Sequence, residues 1–376
     1  MAGGLRILVV GAGIAGLSAA IALQRAGLRP ELVEARADAL AEGAAITLHA
    51  NGVRALRGLG LGPGLDAAAA VVPRWSFRTA TGQELCSTDL TDLWDGVAPC
   101  LGVTRARLHG LLHAGAAAVP QRWGVRVIRV ESDAGGVDVH LSDGTYGRYD
   151  LVVGADGIRS TVRALALDPA PPRYCGVVGW RSVVGGRPPG GDHLVLLLGD
   201  GRFFGLVPLG DGYTYGFAGI AAPTPLEDTP AGRLDRLRTL FAGFADPVAT
   251  YLASLDVDEQ VHQTPIERVE LDRWHAGRIV VVGDAAHAMP PHMGEGGCLA
   301  VEDGAVLAEE LACAENIEAA LNRYAARRRP RIEWVREQTR LAAAAWVLPA
   351  EVRDAALRAR GDAALRARYA PLRTAP

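Results

Sequence analysis

No lysine occurs in this chain: all 39 of its basic side chains are arginine, in a total of 376 residues. Schiff-base catalysis, the phosphate-binding P-loop and any route through a lysine chloramine need that amine, so all three are excluded. Cysteine is scarce too. Its five copies, Cys86, Cys100, Cys175, Cys298 and Cys313, show neither CxxC nor zinc-like spacing, which fits a reducing cytoplasm better than a disulfide framework. An excess of one charge is also lacking. The net charge is −3 with both signs interspersed, and without a basic stripe nucleic acid is not expected as a partner. No apolar run reaches the roughly 18 residues of a spanning helix. The stretch from Met1 through Gly4 passes straight into the apolar run Ile7 to Val10, without the charged and apolar segments of a secretory leader. A cytoplasmic protein with no membrane span is expected, and no internal repeat is visible.

What is present is a chain long enough for one large or two interleaved domains. RILVVGAGIAGLSAAIALQRAGLRPELVEAR reads as a buried strand, a glycine turn, a helix and a second strand ending near Glu34. Gly43 to Leu61 reads as a short strand and a helix, and Trp75 to Leu85 as a more polar β-like stretch. Thr104 is an expected helix N-cap, followed by strands at Val125 to Val130 and Val137 to Leu141. DPAPPR, Asp168 to Arg173, reads as a linker because its prolines deny a helix. Cys175 to Ile220 is strand-rich and reads as an antiparallel sheet; Ala231 to Ser254 reads as helix. The remainder from Asp303 is helix-forming, with breaks expected near Pro330 and Pro349.

Gly11, Gly13 and Gly16 stand in a GxGxxG pattern, where missing side chains permit a tight turn, close approach of a pyrophosphate and packing of helix on strand. Glu34 follows about 20 residues on, where a carboxylate can accept from an adenosine ribose; Ala35 and Arg36 complete that strand end. NAD and FAD are both admitted by this unit alone. A second glycine-rich site, GRIVVVGDAAHAMPPHMGEGG, lies far downstream. There a buried strand delivers Gly283 and Asp284 to a loop, and Pro291, Gly294, Gly296 and Gly297 lead into a helix whose N–H groups face an anion. Cys298 closes that cofactor set, although packing is its favoured role. His287 and His292 flank the two prolines without ligand spacing, so no metal is expected. Asp303 is expected to fix the helix start or its neighbouring loop.

These motifs, with GADGIRSTVR between them, resemble the group A flavoprotein monooxygenases, the p-hydroxybenzoate hydroxylase-like family, over nearly the whole chain. The resemblance implies an α/β fold: a Rossmann-like FAD-binding domain of three-layer ββα type interleaved with an antiparallel β-sheet substrate domain, plus C-terminal helices. The corresponding boundaries are 1–72, 99–167 and 274–345 for the first, 73–98 and 168–273 for the second, and 346–376 for a helical tail. It implies non-covalent FAD held by the glycine turn, by Asp156 and Gly157 of the DG element, by Gly283 and Asp284, and by Ile14, Ala15 and Arg105, with Arg107 the competing arginine. Arg159 and Arg163 become candidate pyrophosphate partners. Two residues depart from the family's pattern: Glu295 stands where Gln is common and Cys298 where Asn is frequent.

The implied reaction consumes NADH or NADPH and O2 and passes oxygen from a flavin 4a-hydroperoxide to a small aromatic or heteroaromatic substrate. The implied sheet supplies substrate contacts, with Trp180, Arg181, Arg202, Tyr213 and Tyr215 as candidates and no catalytic base named. A flavin halogenase is excluded by the missing lysine. A non-oxygenating FAD oxidoreductase, an epoxidase and a non-catalytic flavin-binding protein remain open, and a monomer or homodimer is expected. The arginine-dotted tail reads as a solvated packing helix, with a basic helix meeting a partner or membrane as its alternative.

Overall fold

The computed structural model describes residues 4–38, 44–187 and 191–376. Its opening strand, Arg6–Val10, pairs in parallel with Arg29–Glu34 on one side and Leu151–Gly154 on the other. Ile279–Val281 extends the sheet in the same direction, and Gln121–Trp123 and His275–Ala276 complete six strands. Ile7 to Val10 are buried, as the near-continuous apolar run of a parallel strand covered on both faces requires. Because the three central strands point the same way, the turns after Val10, Gly154 and Val281 all open at one edge of the sheet. That edge is where ligands bind in such sheets.

The helix Ile14–Arg25 leaves the first turn and lies against Gly296–Cys313. Their approach is close enough that a Cβ on Gly304 would sit 2.7 Å from the Ala19 nitrogen. A three-stranded antiparallel sheet, Val127–Ser132, Val137–Leu141 and Tyr146–Tyr149, packs into the same core. The expected strand and helix of the Gly43 to Leu61 stretch are Ala45–Leu48 and Ala50–Gly58; Gly43 itself lies outside the described residues.

The second large sheet has seven strands, in the order His262–Arg268, Arg173–Gly185, Tyr213–Ala221, Arg202–Pro208, Leu194–Gly199, Arg74–Thr79 and Glu84–Asp89. It is antiparallel except that Leu194–Gly199 runs parallel to Arg74–Thr79, a correction to the all-antiparallel expectation. These two strands are joined through most of the first domain, so no hairpin dictates their direction. The run LVLLLG is apolar throughout because both its faces are covered. Val195 and Leu197 join a core with the short helices Arg233–Leu240 and Val248–Ala253, while Leu194, Leu196 and Leu198 face the other way. Those two helices replace the single stretch expected from Ala231 to Ser254, the break falling before Pro247.

The long helix Ile317–Trp346 continues through Pro330, contrary to expectation. The ring removes one backbone donor, but Arg328 and Arg331 on either side are paired to Glu302, and Ile332 and Val335 are buried, so tertiary contacts hold the helix. Pro349 does interrupt, and the terminal helix Ala350–Tyr369 begins after it. The packing expected of that helix is present. The helix lies on Glu84–Asp89 so tightly that a Cβ on Gly361 would meet the Cys86 sulfur at 2.3 Å. Among the described residues no helix is long and apolar enough to cross a membrane.

Candidate active site

Gly11 has φ +104°, and a Cβ there would lie 2.6 Å from the Ala155 oxygen; one on Gly16 would lie 1.8 Å from the Gly11 oxygen. These two glycines build the turn rather than touch a ligand. Gly13 differs, since a Cβ on it would meet nothing within 4 Å. Its open side exposes the N-terminus of Ile14–Arg25 to whatever binds. Glu34 clamps the turn from the next strand end, its carboxylate accepting from the Ala12 nitrogen at 2.6 Å and the Arg36 nitrogen at 2.9 Å. Ala35 lies between these contacts.

At the second turn Asp156 accepts from Ser160 Oγ at 2.5 Å and from the Thr161 and Val162 nitrogens at 2.7 and 3.1 Å. Its carboxylate is thereby committed to the start of the helix Thr161–Ala166, although burial still pushes its pKa up. Gly157, with φ +79° and open space around it, is the member of the pair that borders the cavity. Two candidate pyrophosphate partners are engaged elsewhere. Arg163 is buried and donates to the Ala285 and Ile158 carbonyls, and Arg159 is paired to Glu267 at 2.8 Å. Each guanidinium is thus satisfied by a partner far along the chain.

The third turn is fastened from behind. Gly283, φ +58°, has no room for a side chain, since a Cβ would lie 2.7 Å from that of Ala15. Asp303 accepts from the Gly283 nitrogen at 2.8 Å and from His287 at 2.6 Å, as its expected loop-fixing role requires. Burial would raise the Asp303 pKa, but His287 and Arg328 outweigh it and hold the carboxyl down at about 2. No group of His, Cys, Asp or Glu among the described residues could hold a metal ion. Asp284, Pro291, Gly294, Gly296 and Gly297 all border the cavity, and Gly296 begins the helix as expected. Glu295 is buried behind this helix start, accepting from Asn51 Nδ2 at 2.9 Å, and burial above all raises its pKa to about 8. Cys298 does not reach the cavity. It is wholly buried against Gly52, where a Cβ would touch its sulfur at 2.5 Å, which agrees with the packing role favoured for it over a place in the cofactor set.

One cavity of about 820 Å³ runs from these turns to the second sheet. Ile14, Ala15 and Arg105 lie at its cofactor end, Arg105 opening a helix capped by Thr104. The competing Arg107 is exposed and paired to Asp211 at 3.0 Å. At the sheet, Arg181 and Tyr215 share the cavity face with Phe217, which pairs across strands with Arg181. Burial raises the Tyr215 pKa, while the charges of Arg181 and Arg105 beside it oppose that rise. Arg181 also donates to Thr264 Oγ1 at 3.2 Å.

Two substrate candidates are corrected. Arg202 turns to the other face, donating to the Leu240 carbonyl at 2.5 Å with its guanidinium 5.8 Å from the Phe244 ring centre. Tyr213 is 43% exposed at its strand start and is absent from the cavity wall, although it shares a face with Tyr215. Trp180 borders the cavity, but its side chain belongs to the apolar core of Phe204 and Tyr251. Sequence reasoning missed Trp75, Phe77, His292 and a wall made by Leu357, Arg360, Ala364 and Arg368 of the terminal helix. The three-and-four spacing of that last set was the available signal.

The model of the family described as FAD binding domain matches residues 5–339. The chain belongs to this family. Its cofactor is FAD, and the cradle fits one: Gly13, Gly157 and Gly296 leave backbone open where phosphates and a flavin ring must approach. Among relatives of this FAD-binding chain, the aurachin C monooxygenase/isomerase of Stigmatella aurantiaca is 36% identical over 328 residues, covering 86% of this chain and 85% of the relative. The FAD-dependent urate hydroxylase of Klebsiella pneumoniae is 35% identical over 339 residues, 87% of each chain. The crystal structure of Klebsiella pneumoniae HpxO complexed with FAD and uric acid superposes with a TM-score of 0.89 at 30% identity, covering 98% of both chains. The family member described here is an FAD-dependent monooxygenase.

Proposed function

We propose that this monooxygenase takes electrons from NADH or NADPH and inserts one atom of O2 into an electron-rich aromatic or heteroaromatic ring. The observation that carries this reading is the single cavity joining the open glycines Gly13, Gly157 and Gly296 to the sheet face of Arg181 and Tyr215. A ring bound at the sheet shares one apolar enclosure with the cofactor. The named activities of the relatives from Klebsiella pneumoniae and Stigmatella aurantiaca support oxygenation of such a ring.

FAD, when bound, supplies the redox and oxygen chemistry. The helix N-terminus at Gly13 would hold its pyrophosphate, Glu34 its ribose, Asp284 its ribityl hydroxyls, and the Gly296–Gly297 backbone its ring. Arg181 and Arg105 place positive charge beside Tyr215, which suits a substrate carrying an acidic oxygen. The apolar walls exclude water from the reacting atoms. Five free cysteines support a reducing cytoplasm as the compartment.

The test is to purify the protein, record its visible spectrum, and follow NAD(P)H and O2 consumption with a panel of phenolic and heteroaromatic acids. A ligand that accelerates NAD(P)H oxidation and gains one oxygen by mass is the expected result. Stoichiometric hydrogen peroxide without product would favour the oxidase reading, and failure to bind FAD would remove the proposal.

A further inference from the structure

The end of the cavity remote from the glycine turns is walled by apolar side chains from two directions. Leu194, Leu196 and Leu198 project into it from one strand, and Phe203 and Trp346 stand close by, their rings 4.8 Å apart. Several of these residues make up the third apolar cluster of the chain, in which Val177, Leu198, Ile266 and Trp346 gather with Leu357 packed against them. Protein interiors pack to crystal density, and a hollow lined by leucine and phenylalanine costs stability in proportion to its volume. Here the cluster surrounds open space instead of closing on itself.

The terminal helix keeps that space open. Ala356 and Ala364 face it on the same side of the helix as Leu357, Arg360 and Arg368. Arg353 is buried and satisfied by Asp354 at 2.8 Å and by the Gly199 carbonyl at 2.7 Å, so the charged groups this helix leaves on the cavity wall are Arg360 and Arg368. Eight residues separate Ala356 from Ala364, roughly 12 Å along the helix axis. The hollow is therefore long, and apolar over most of its wall, with Arg360 and Arg368 on the helix side.

We infer that the substrate carries, besides its oxidisable ring, an extended alkyl arm that lies between Leu196, Leu198 and the alanine face of the terminal helix. The inference rests on the hydroxylase reading above and deepens it. The ring is held at Arg181 and Tyr215, and the arm follows the hollow outward toward Arg360. Burial of the arm supplies affinity that the few polar groups of the site do not.

The experiment titrates the FAD-loaded enzyme with para-alkylphenols whose chains run from no carbons to about nine, following the perturbation of the flavin spectrum. Affinity is expected to rise roughly threefold to fourfold with each of the first several methylenes. Ala356→Phe and Ala364→Phe, both at positions open to the cavity, fill the hollow. In these variants the dependence on chain length should disappear while flavin content stays that of the parent. A flat or falling series in the parent enzyme, absence of binding included, overturns the inference. So does a chain-length dependence that survives both substitutions, because the arm would then be buried elsewhere. An enzyme that never binds FAD is seen in the spectrum before any titration and counts against the hydroxylase reading instead.

Discussion

Nε of Arg328, in the middle of the long helix, donates to Oδ1 of Asp303 at 2.7 Å with both side chains sealed from solvent. The other oxygen of Asp303 accepts from the Gly283 nitrogen and from His287, so one carboxylate ties the last third of the chain to a cofactor turn. Burial works against the Arg328 charge, but Asp303 and Glu302 more than restore it and raise the pKa of the guanidinium.

Replacing Arg328 with Met should therefore leave the buried Asp303 without its arginine, while Glu302 keeps Arg331. Breaking a buried pair from one side costs about 3–5 kcal/mol. Urea unfolding is expected to show a loss of that size, and the variant should lose FAD on gel filtration. An unchanged midpoint together with full flavin content would show that Asp303 needs no counter-charge.

Glu295 couples stability to pH. Its folded pKa of about 8 stands above the ordinary value of 4.5, principally through burial. A raised acid contributes stability that is fully present below pH 4.5 and is lost as pH rises through about 8, since the unfolded chain ionises first. Glu295→Gln keeps an acceptor for Asn51 and removes the titration. The variant should match the parent below about pH 4 and exceed it by about 3 kcal/mol near pH 7. Thermal melts of apo and FAD-loaded protein across that range decide it, and parallel pH profiles for the two proteins would refute the assignment.

Gly13 and Gly16 separate cofactor approach from fold. Gly16→Ala drives a methyl group into the Gly11 carbonyl and should cost about 3 kcal/mol. Gly13→Ala meets open space, so stability should change by less than about 1 kcal/mol while FAD affinity falls tenfold or more. Calorimetry and flavin titration on the two variants read these effects independently.

Arg181 and Arg202 make a second contrast. Arg181→Ala removes charge from the cavity and should raise KM about tenfold for any ligand that stimulates NAD(P)H oxidation. Arg202→Ala loses the Leu240 carbonyl and the Phe244 face, so it should cost about 1–2 kcal/mol of stability and leave kcat/KM intact. The reverse pattern would place Arg202 at the substrate.

The cofactor half of this protein was legible in the sequence because it is local. Val10, Gly11, Gly13 and Gly16 stand close together in the chain, and a strand, a tight glycine turn and a helix need only their own backbone to make an anion site; the same holds for Gly283 to Gly297. The substrate half was decided by tertiary packing. Arg181 and Arg202 are both arginines on strands of one sheet, and only the side on which helices Arg233–Leu240 and Val248–Ala253 dock determines which of them meets the cavity. Pro330 reads as a helix break until Glu302 is seen holding arginines on both sides of it. The terminal helix reads as a solvated packing helix, but the strand it packs on is known only once Gly361 is found against Cys86 and Arg353 against Gly199. Composition and periodicity specify which residues must be buried. They do not specify which of several apolar partners, far apart in the chain, will bury them.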